Sequence, residues 1–455
     1  MDAALLRSRR AAAGSRLSCR RGIHPCMSAV EQGTDEAMVG EGGVNRREFL
    51  RSGAGAMAAV AGLSVAGGAQ GKPNAQDAVS LPQLHAPTES PEKVPGPFEA
   101  PAQRTGFAVV GLGRLSLGQI LPAFGASKYC RVTALVSGDR EKAKKVAAQY
   151  GVPERSLYDY ASYDQLASNP DVQVIYIVLP NSMHREYVER GAKAGKQILC
   201  EKPMATSVKD CEAMIAACKA ANVKLMIAYR QQYEPMNQAI VKMVKDGKLG
   251  ELKSYIATNG QDQGDPTQWR QNLALAGGGC LPDVGIYCLN AARFLSGQEP
   301  SEVAAFTTQP KADPRFREVE ETCTFTMRFP SGLLASCATG YGAHRTQFLR
   351  LEGEKSWAEL APAFGYSGLR LRTSTTEDGH DVVSEPSIES KNQFASEMDH
   401  MAMCVKNNVQ PHTPGEEGLQ DQRIVEAIYE AARTGKTVKL APLAGPTRGP
   451  APMES

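Results

Sequence analysis

The sequence predicts a doubly wound α/β Rossmann domain over residues 106–230, then an α+β domain with a large open antiparallel sheet over residues 231–440. Three observations predict it. Short apolar runs alternate with helical segments through the first stretch, the pattern of a parallel sheet with crossover helices. The first run ends in Gly111-Leu112-Gly113. Beyond Gln231 the period changes. Cys323, Phe325, Met327 and Phe329 alternate there with Thr322, Thr324, Thr326 and Arg328, the mark of a half-exposed strand.

Phe107 to Val110 is the first strand, and it runs into Gly111-Leu112-Gly113-Arg114-Leu115-Ser116 and a helical segment through Ile120 and Leu121. This is a dinucleotide turn with Ser116 at the third glycine position, where a small residue still lets helix pack close on strand. Gly111 makes the tight turn, Gly113 lets backbone approach a pyrophosphate, and the helix N-terminus faces that charge. The second strand, Arg131 to Val136, ends in Ser137-Gly138-Asp139-Arg140-Glu141-Lys142. An acid directly after this strand would bind a ribose 2′-hydroxyl. Here a hydroxyl stands first, with Arg140 and Lys142 near enough to meet a 2′-phosphate. The reading is NADP. Asp139, displaced by two residues, keeps NAD possible.

Further βα units follow. Lys142 to Tyr150 and Ser162 to Ala167 are helical, Val172 to Leu179 is a buried strand ending in Pro180-Asn181-Ser182-Met183-His184, and Glu186 to Ala194 is helical until Gly195. Ile198 to Cys200 is an apolar run too short for a helix, closed by Glu201, Lys202 and Pro203. Ligands of open α/β sheets sit at the carboxyl ends of the strands. Lys202 is therefore either catalytic or an ordinary solvated strand end. Pro203 holds it out of helical backbone, and Ser207 with Asp210 gives the next helix a capping box. Val223 to Ala228 is the last strand of this half and ends at Tyr229-Arg230. His184 reads as a positioning residue beside a nicotinamide, or as a helix-start group, rather than as a base.

In the second half Pro330-Ser331-Gly332 turns the chain into Leu333 to Ala338, and Phe348 to Leu351 pairs with Trp357 to Leu360 across Gly353-Glu354-Lys355. Between the halves lie Trp269-Arg270 and a glycine run, Gly277-Gly278-Gly279, opening a helix that carries Asp283 and Tyr287. Four residues apart, those two share a helical face. Alone they read as a capped helix with a core tyrosine.

Residues 1–69 stand apart. Asn45-Arg46-Arg47-Glu48-Phe49-Leu50-Arg51 precedes the weakly apolar stretch Gly53 to Ala66 and the small residues Gly67-Gly68-Ala69. Twin arginines before a short Ala/Gly-rich run describe a twin-arginine export signal and a periplasmic destination. The run is too short and too poor in Leu and Ile for stable membrane insertion. Residues 70–105 carry Pro73, Pro82, Pro87, Pro91, Pro95, Pro97 and Pro101 and read as an extended arm. Residues 441–455 form a tail. A net charge of +2 over 455 residues gives no reason to expect nucleic acid. Of the 11 cysteines, Cys19 and Cys26 fall in the leader. Nine remain, an odd number with no Cys-x-x-Cys; Cys130, Cys200, Cys211, Cys218, Cys323 and Cys337 sit in apolar patterns and read as small core hydrophobes, not as a disulfide framework or a metal site.

Gly111-Leu112-Gly113, Leu179-Pro180-Asn181-Ser182, Cys200-Glu201-Lys202-Pro203-Met204-Ala205-Thr206-Ser207 and Asp283-Val284-Gly285-Ile286-Tyr287 resemble the Gfo/Idh/MocA oxidoreductases, most of all their glucose–fructose oxidoreductase branch. The likeness runs from about Gly106 to Val438 and includes Trp269-Arg270 and Pro414-Gly415-Glu416-Glu417-Gly418. It implies a sugar site in the cleft between the domains, with Lys202 and Tyr287 in catalysis and Asp283 helping to hold the sugar. It implies that Ser137 and Lys142 hold a 2′-phosphate, and that Gly111, Leu112, Gly113, Arg114, Leu115, Leu179, Pro180, Asn181, His184, Glu201, Arg230, Trp269 and Arg270 line the cofactor. It also implies a homodimer or homotetramer in which the arm wraps a neighbour. The chain departs from the family at Arg114-Leu115-Ser116-Leu117-Gly118, and at Cys280 and Pro282.

The chemistry implied is oxidation of an aldose to a lactone and reduction of a ketose to a polyol, with a tightly held NADP. A free tyrosine titrates near ~10, so a tyrosine base needs a cation beside it, and Lys202 is the candidate. Other readings are an exported sugar dehydrogenase or reductase using the same residues, a nicotinamide-dependent glycosidase of the same fold, and a non-catalytic sensor, which the Lys202 and Tyr287 pair argues against.

Overall fold

The computed structural model describes residues 99–452. The twin-arginine region and nearly all of the proline-rich arm lie outside those residues. Six strands, β1 (Thr105–Val110), β2 (Cys130–Val136), β3 (Leu157–Tyr158), β4 (Val174–Ile177), β5 (Gln197–Glu201) and β6 (Leu225–Ala228), form one sheet in the order β3-β2-β1-β4-β5-β6. Every pairing in it is parallel. The chain winds outward from β1 to β3, then restarts at β4 on the other side. That reversal opens a crevice above the carboxyl ends of β1 and β4.

The longer helices are α1 (Arg140–Tyr150), α2 (His184–Lys193), α3 (Val208–Ala220), α4 (Pro235–Lys245), α5 (Ile286–Ser296), α6 (Gln393–Lys406) and α7 (Gly415–Thr434). α3 begins at the capping box expected from the sequence, and α1 begins at Asp139, which the sequence reading took as a possible cofactor acid. Asp139 accepts the Lys142 backbone N–H, and Ser207 accepts that of Asp210 while donating its hydroxyl to the Asp210 carboxylate.

Alternation in the strands sends side chains to both faces, and both faces are buried. Ala108, Val110, Ile175, Ile177, Ile198 and Cys200 pack with Tyr163, Tyr187, Val188 and Met214. Phe107, Val109, Leu135, Tyr176, Leu199 and Met226 face the other way, against Phe394, Met398 and Met401 of α6. The expected boundary at residue 230 thus divides the sheets but not the packing. A helix from the far end of the chain closes the first domain, because the second face of a parallel sheet also needs a cover.

The second sheet has nine strands: β7 (Leu252–Asp262), β8 (Glu302–Thr308), β9 (Thr322–Arg328), β10 (Leu334–Gly340), β11 (Gly342–Gly353), β12 (Trp357–Leu360), β13 (Leu371–Glu377), β14 (His380–Ser384) and β15 (Val438–Lys439). Their order is β14-β13-β12-β11-β7-β10-β9-β8-β15. Cys323, Phe325 and Met327 are buried and the threonines between them are not, as the alternation predicts. One pairing departs from expectation. β10 runs parallel to β7, Leu334 beside Ser254 through Gly340 beside Gly260. No hairpin joins these two strands; α5, β8 and β9 intervene, so the connection does not force antiparallel pairing.

All nine cysteines among the described residues are unpaired and buried, and no cluster there could hold a metal. No described helix is long and apolar enough to cross a membrane.

Candidate active site

A cleft of about 930 Å³ lies over the carboxyl ends of β1, β4 and β5, walled on its far side by β7 and β11. Its first wall is the glycine turn. Gly111 has φ +92° and its missing Cβ would stand 2.3 Å from the Val178 carbonyl oxygen, so only glycine fits. The Ser116 hydroxyl donates to the Gly111 carbonyl at 2.5 Å and closes the turn. A Cβ on Gly113 would meet nothing within 4 Å. That open space in the cleft wall is what a pyrophosphate pressed on backbone requires. The helix after the turn runs through Ile120 and Leu121 as expected, as a π-helical Ser116–Ile120 followed by Leu121–Ala123. Leu112, Arg114 and Leu115 line the same wall.

At the end of β2, Ser137 and Lys142 line the cleft, joined by Tyr160, which the sequence reading missed. Asp139 also borders it, but its carboxylate caps α1 at 2.9 Å from the Lys142 nitrogen. The acid that would favour a ribose 2′-hydroxyl is engaged elsewhere, and a hydroxyl and an ammonium remain. These residues fit a 2′-phosphate.

β5 delivers Lys202 to the cleft floor, where the Lys202–Pro203 peptide is cis. Its ammonium donates to the Asp283 backbone carbonyl at 2.7 Å and reaches the carboxylate Oδ1 at 3.4 Å. It also stands 4.4 Å from the centre of the Tyr287 ring. Asp283 Oδ2 accepts from Arg270 Nε at 2.9 Å and from the Tyr341 hydroxyl at 2.6 Å. Burial would raise the Asp283 carboxyl, but Arg270, Lys202 and the Tyr341 hydroxyl together hold it well below the usual range. Burial likewise opposes charge on Lys202, and Tyr287, Asp283 and Glu201 overcome it, so its pKa is raised. Lys202 is a fixed cation.

A π-helical turn, Leu281–Gly285, presents Asp283, and Tyr287 follows in the first turn of α5. Glu320 holds that turn in place, accepting the Gly279 and Leu281 N–H groups at 2.8 and 2.9 Å. The expected pairing of Asp283 and Tyr287 on one face places both in the cleft. Asp283 spends most of its capacity on Lys202, Arg270 and Tyr341, so in this structure it orders the site's cations first.

Leu179, Pro180, Asn181, Glu201, Arg230, Trp269 and Arg270 also line the cleft. Asn181 donates to the Ala276 carbonyl at 2.8 Å and ties the walls together. Arg230 is buried, donating to the Phe364 carbonyl at 2.8 Å, with its guanidinium 4.9 Å from the Tyr287 ring centre. His184 is the exception. It has no exposure and does not line the cleft; Nε2 lies 2.9 Å from the Leu179 carbonyl and Nδ1 3.0 Å from that of Pro203. It fastens the chain after β4 to the chain after β5, which is the helix-start alternative and not contact with a nicotinamide.

Polar side chains of the far wall were missed. Asn259, Gln261 and Gln263 follow one another at every second residue along β7 and beyond it, and Arg345 and Gln347 do so on β11. Period-two amides on one strand are a legible signal of a polar inner face. Tyr341 carried no such signal, since only the fold brings it to Asp283.

Residues 105–229 match the family described as "Oxidoreductase family, NAD-binding Rossmann fold", and residues 237–359 match "GFO/IDH/MocA C-terminal domain". The chain belongs to the Gfo/Idh/MocA oxidoreductases. Its dinucleotide turn, Lys202 strand end and nine-stranded sheet are the two halves of that family's fold. D-xylose 1-dehydrogenase [NADP(+)] of Haloarcula marismortui is 34% identical over 340 residues, 73% of this chain and 92% of that one. The crystal structure of an aldose-aldose oxidoreductase from Caulobacter crescentus, complexed with glycerol, is 46% identical with a TM-score of 0.72, covering 74% of this chain and all of that one (100%). A levoglucosan dehydrogenase in complex with NADH and L-sorbose shares the fold at 21% identity and a TM-score of 0.66, covering 75% of this chain and 100% of its own.

Proposed function

We propose that this chain is an exported NADP-dependent sugar oxidoreductase that retains its cofactor, oxidising an aldose at C1 to the lactone and reducing the carbonyl of a second sugar, a ketose such as fructose or another aldose. One observation carries the reading: Lys202, Asp283 and Tyr287 meet in the cleft that the Gly111–Gly113 turn opens. When bound, the nicotinamide of NADP supplies the acceptor for hydride from C1 and, once reduced, the donor to the second carbonyl. Tyr287 takes the proton of the C1 hydroxyl as general base. Lys202, 4.4 Å from the ring centre, favours the negative charge that grows on the phenol oxygen. Asp283 fixes Lys202 from two sides. In the reductive half Tyr287 gives a proton to the nascent alkoxide.

Sugar-to-sugar transfer is supported by the printed name of the 46%-identical relative. NADP is supported by Ser137 and Lys142 in the cleft and by the cofactor of the Haloarcula enzyme. Export is supported by Arg46-Arg47 and the Ala/Gly-rich run after them. A twin-arginine substrate crosses folded, so cofactor is loaded before export, and a cofactor released outside would be lost. A homodimer or homotetramer belongs to the same reading.

The test is the absorbance spectrum of purified protein lacking residues 1–69, with no cofactor added. A reduced-nicotinamide band that appears with glucose and vanishes with fructose or a second aldose is the expected result. Protein free of nicotinamide, with NADPH accumulating only when NADP is supplied, would defeat retention and leave a dehydrogenase like the Haloarcula relative.

A further inference from the structure

Beneath the cleft floor three buried groups are strung on one hydrogen-bond chain. The Tyr176 hydroxyl of β4 stands 2.8 Å from Glu201 Oε1 at the end of β5 and 3.1 Å from Glu397 Oε1 on α6. Tyr176 and Glu397 have no exposure, and Glu201 has 7%. A phenol has one proton to donate and cannot serve two carboxylates at once. With both contacts made, one carboxyl must bring a second proton.

The surroundings say which. Glu201 lines the cleft beside Lys202 and accepts the shorter of the two bonds. Glu397 Oε2 is buried with no partner, where an anion would bear its full desolvation penalty. The titratable and charged groups facing Glu397 are Tyr176, Glu201, Arg230 and Tyr233. Arg230, the one cation among them, gives Nη1 and Nη2 to the Phe364 and Gly365 carbonyls and to Gln393. Its Nε has no partner among the described residues, and it makes no hydrogen bond to Glu397. Burial, and after it the Glu201 charge, push the Glu397 carboxyl well above the carboxylate range. Burial raises Glu201 too, but less far than Glu397, because Lys202, the Tyr176 hydroxyl and Arg230 oppose the rise.

We propose that Glu397 is a positioning residue that carries a proton, donates it to the Tyr176 oxygen, and through Tyr176 keeps Glu201 the ionised group beside Lys202. Glu397 acts from two hydrogen bonds away and touches no reacting atom. Glu201 is one of the groups that keep Lys202 charged, so a proton parked on Glu397 supports a cation in the cleft. The kinetic part of this inference rests on the reading of Lys202 and Tyr287 as the catalytic pair; the protonation part does not.

Glu397→Gln keeps the shape and replaces the acid O–H with an amide N–H. Infrared difference spectra of wild type minus Glu397→Gln at neutral pH should show the carbonyl stretch of a protonated carboxyl, lost in the variant. The variant should keep kcat/KM for the sugar within about twofold and leave the acid limb of the pH profile in place. Tyr176→Phe removes the hydrogen bond that favours ionised Glu201, so its acid limb should move to higher pH. Absence of the protonated-carboxyl band overturns the proposal. So does a Glu397→Gln protein that cannot fold, because a neutral isostere making the same bond must fit. An unmoved limb in Tyr176→Phe overturns the positioning role. If no sugar is turned over at all, the functional reading fails and the infrared result still decides the protonation of Glu397.

Discussion

The Lys202 ammonium lies 4.4 Å from the centre of the Tyr287 ring while two of its protons are turned toward Asp283. A cation anchored this way is already oriented when a sugar arrives. In the proposed mechanism Tyr287→Phe removes the proton acceptor, and Lys202→Met removes the charge that supports it. Each should lower kcat by roughly 10²–10⁴-fold, the usual worth of general-base catalysis. NADP affinity, read by fluorescence titration, should stay nearly constant in Tyr287→Phe. A Tyr287→Phe enzyme with wild-type kcat would remove the tyrosine from the chemistry.

Asp283→Asn tests the anchor. The amide keeps the shape but leaves Arg270 and Lys202 without their shared anion, and breaking a buried ion pair costs roughly 3–5 kcal/mol. The sign with pH follows from the lowered Asp283 pKa. The stabilisation is present above the unfolded value of ~3.9 and is lost as pH falls toward the folded one. Denaturation midpoints of wild type should therefore drop more steeply than those of Asp283→Asn below pH ~4. Parallel curves would mean the carboxylate is not held by these partners.

The two turn glycines should behave differently. Gly111→Ala forces a side chain at φ +92° into the Val178 carbonyl, so the turn must deform and stability should fall. Gly113→Ala meets no protein atom within 4 Å, so the protein should fold with wild-type stability. Its methyl group would project into the space assigned to the pyrophosphate, weakening NADP by at least about tenfold, ~1.4 kcal/mol. Unchanged NADP affinity in a folded Gly113→Ala would move the pyrophosphate elsewhere.

Cofactor choice gives a further pair. Lys142→Ala should weaken NADP and spare NAD, since only NADP has the 2′-phosphate; a loss of about 1–3 kcal/mol is the scale of one charged hydrogen bond. Asp139→Ala should instead cost about 1 kcal/mol of stability, because its carboxylate is the cap of α1. Competition binding of the two dinucleotides separates these outcomes, and a Lys142→Ala protein that loses both equally would count against the phosphate contact.

Where chemistry is written locally, the sequence was readable. Gly111-Leu112-Gly113, the Lys202 strand end and the capping residue Ser207 each act within one turn of where they stand. Strand alternation in β9 likewise encodes its own burial. What could not be read depends on distant partners. α6 covers the far face of the first sheet, Tyr341 reaches Asp283 across 58 positions, and Glu397 meets Tyr176 across 221. His184 lies between these cases. Its position after β4 suggested a cofactor contact, but three buried carbonyls nearby claimed both ring nitrogens.

A second buried cluster should govern stability near neutrality. Glu299, Glu417 and Asp421 converge on Arg293 and Arg448, so acids outnumber bases by one. Arg293, Glu417 and Asp421 have no exposure. Burial, and the neighbouring Glu417 charge, push Asp421 up to about 7 against the pull of Arg293, while Glu417 is held down by Arg293 and Arg448. An unfolded aspartate titrates near ~3.9. Between ~4 and about 7 the folded cluster therefore keeps a proton that the unfolded chain has lost. Stability should fall as pH rises through that window, by up to about 1.4 kcal/mol per pH unit. Asp421→Asn fixes the neutral form, so its stability should be flatter over the same range and should exceed wild type at pH ~8. Chemical denaturation across the window measures both slopes, and equal slopes would place the extra proton outside this cluster.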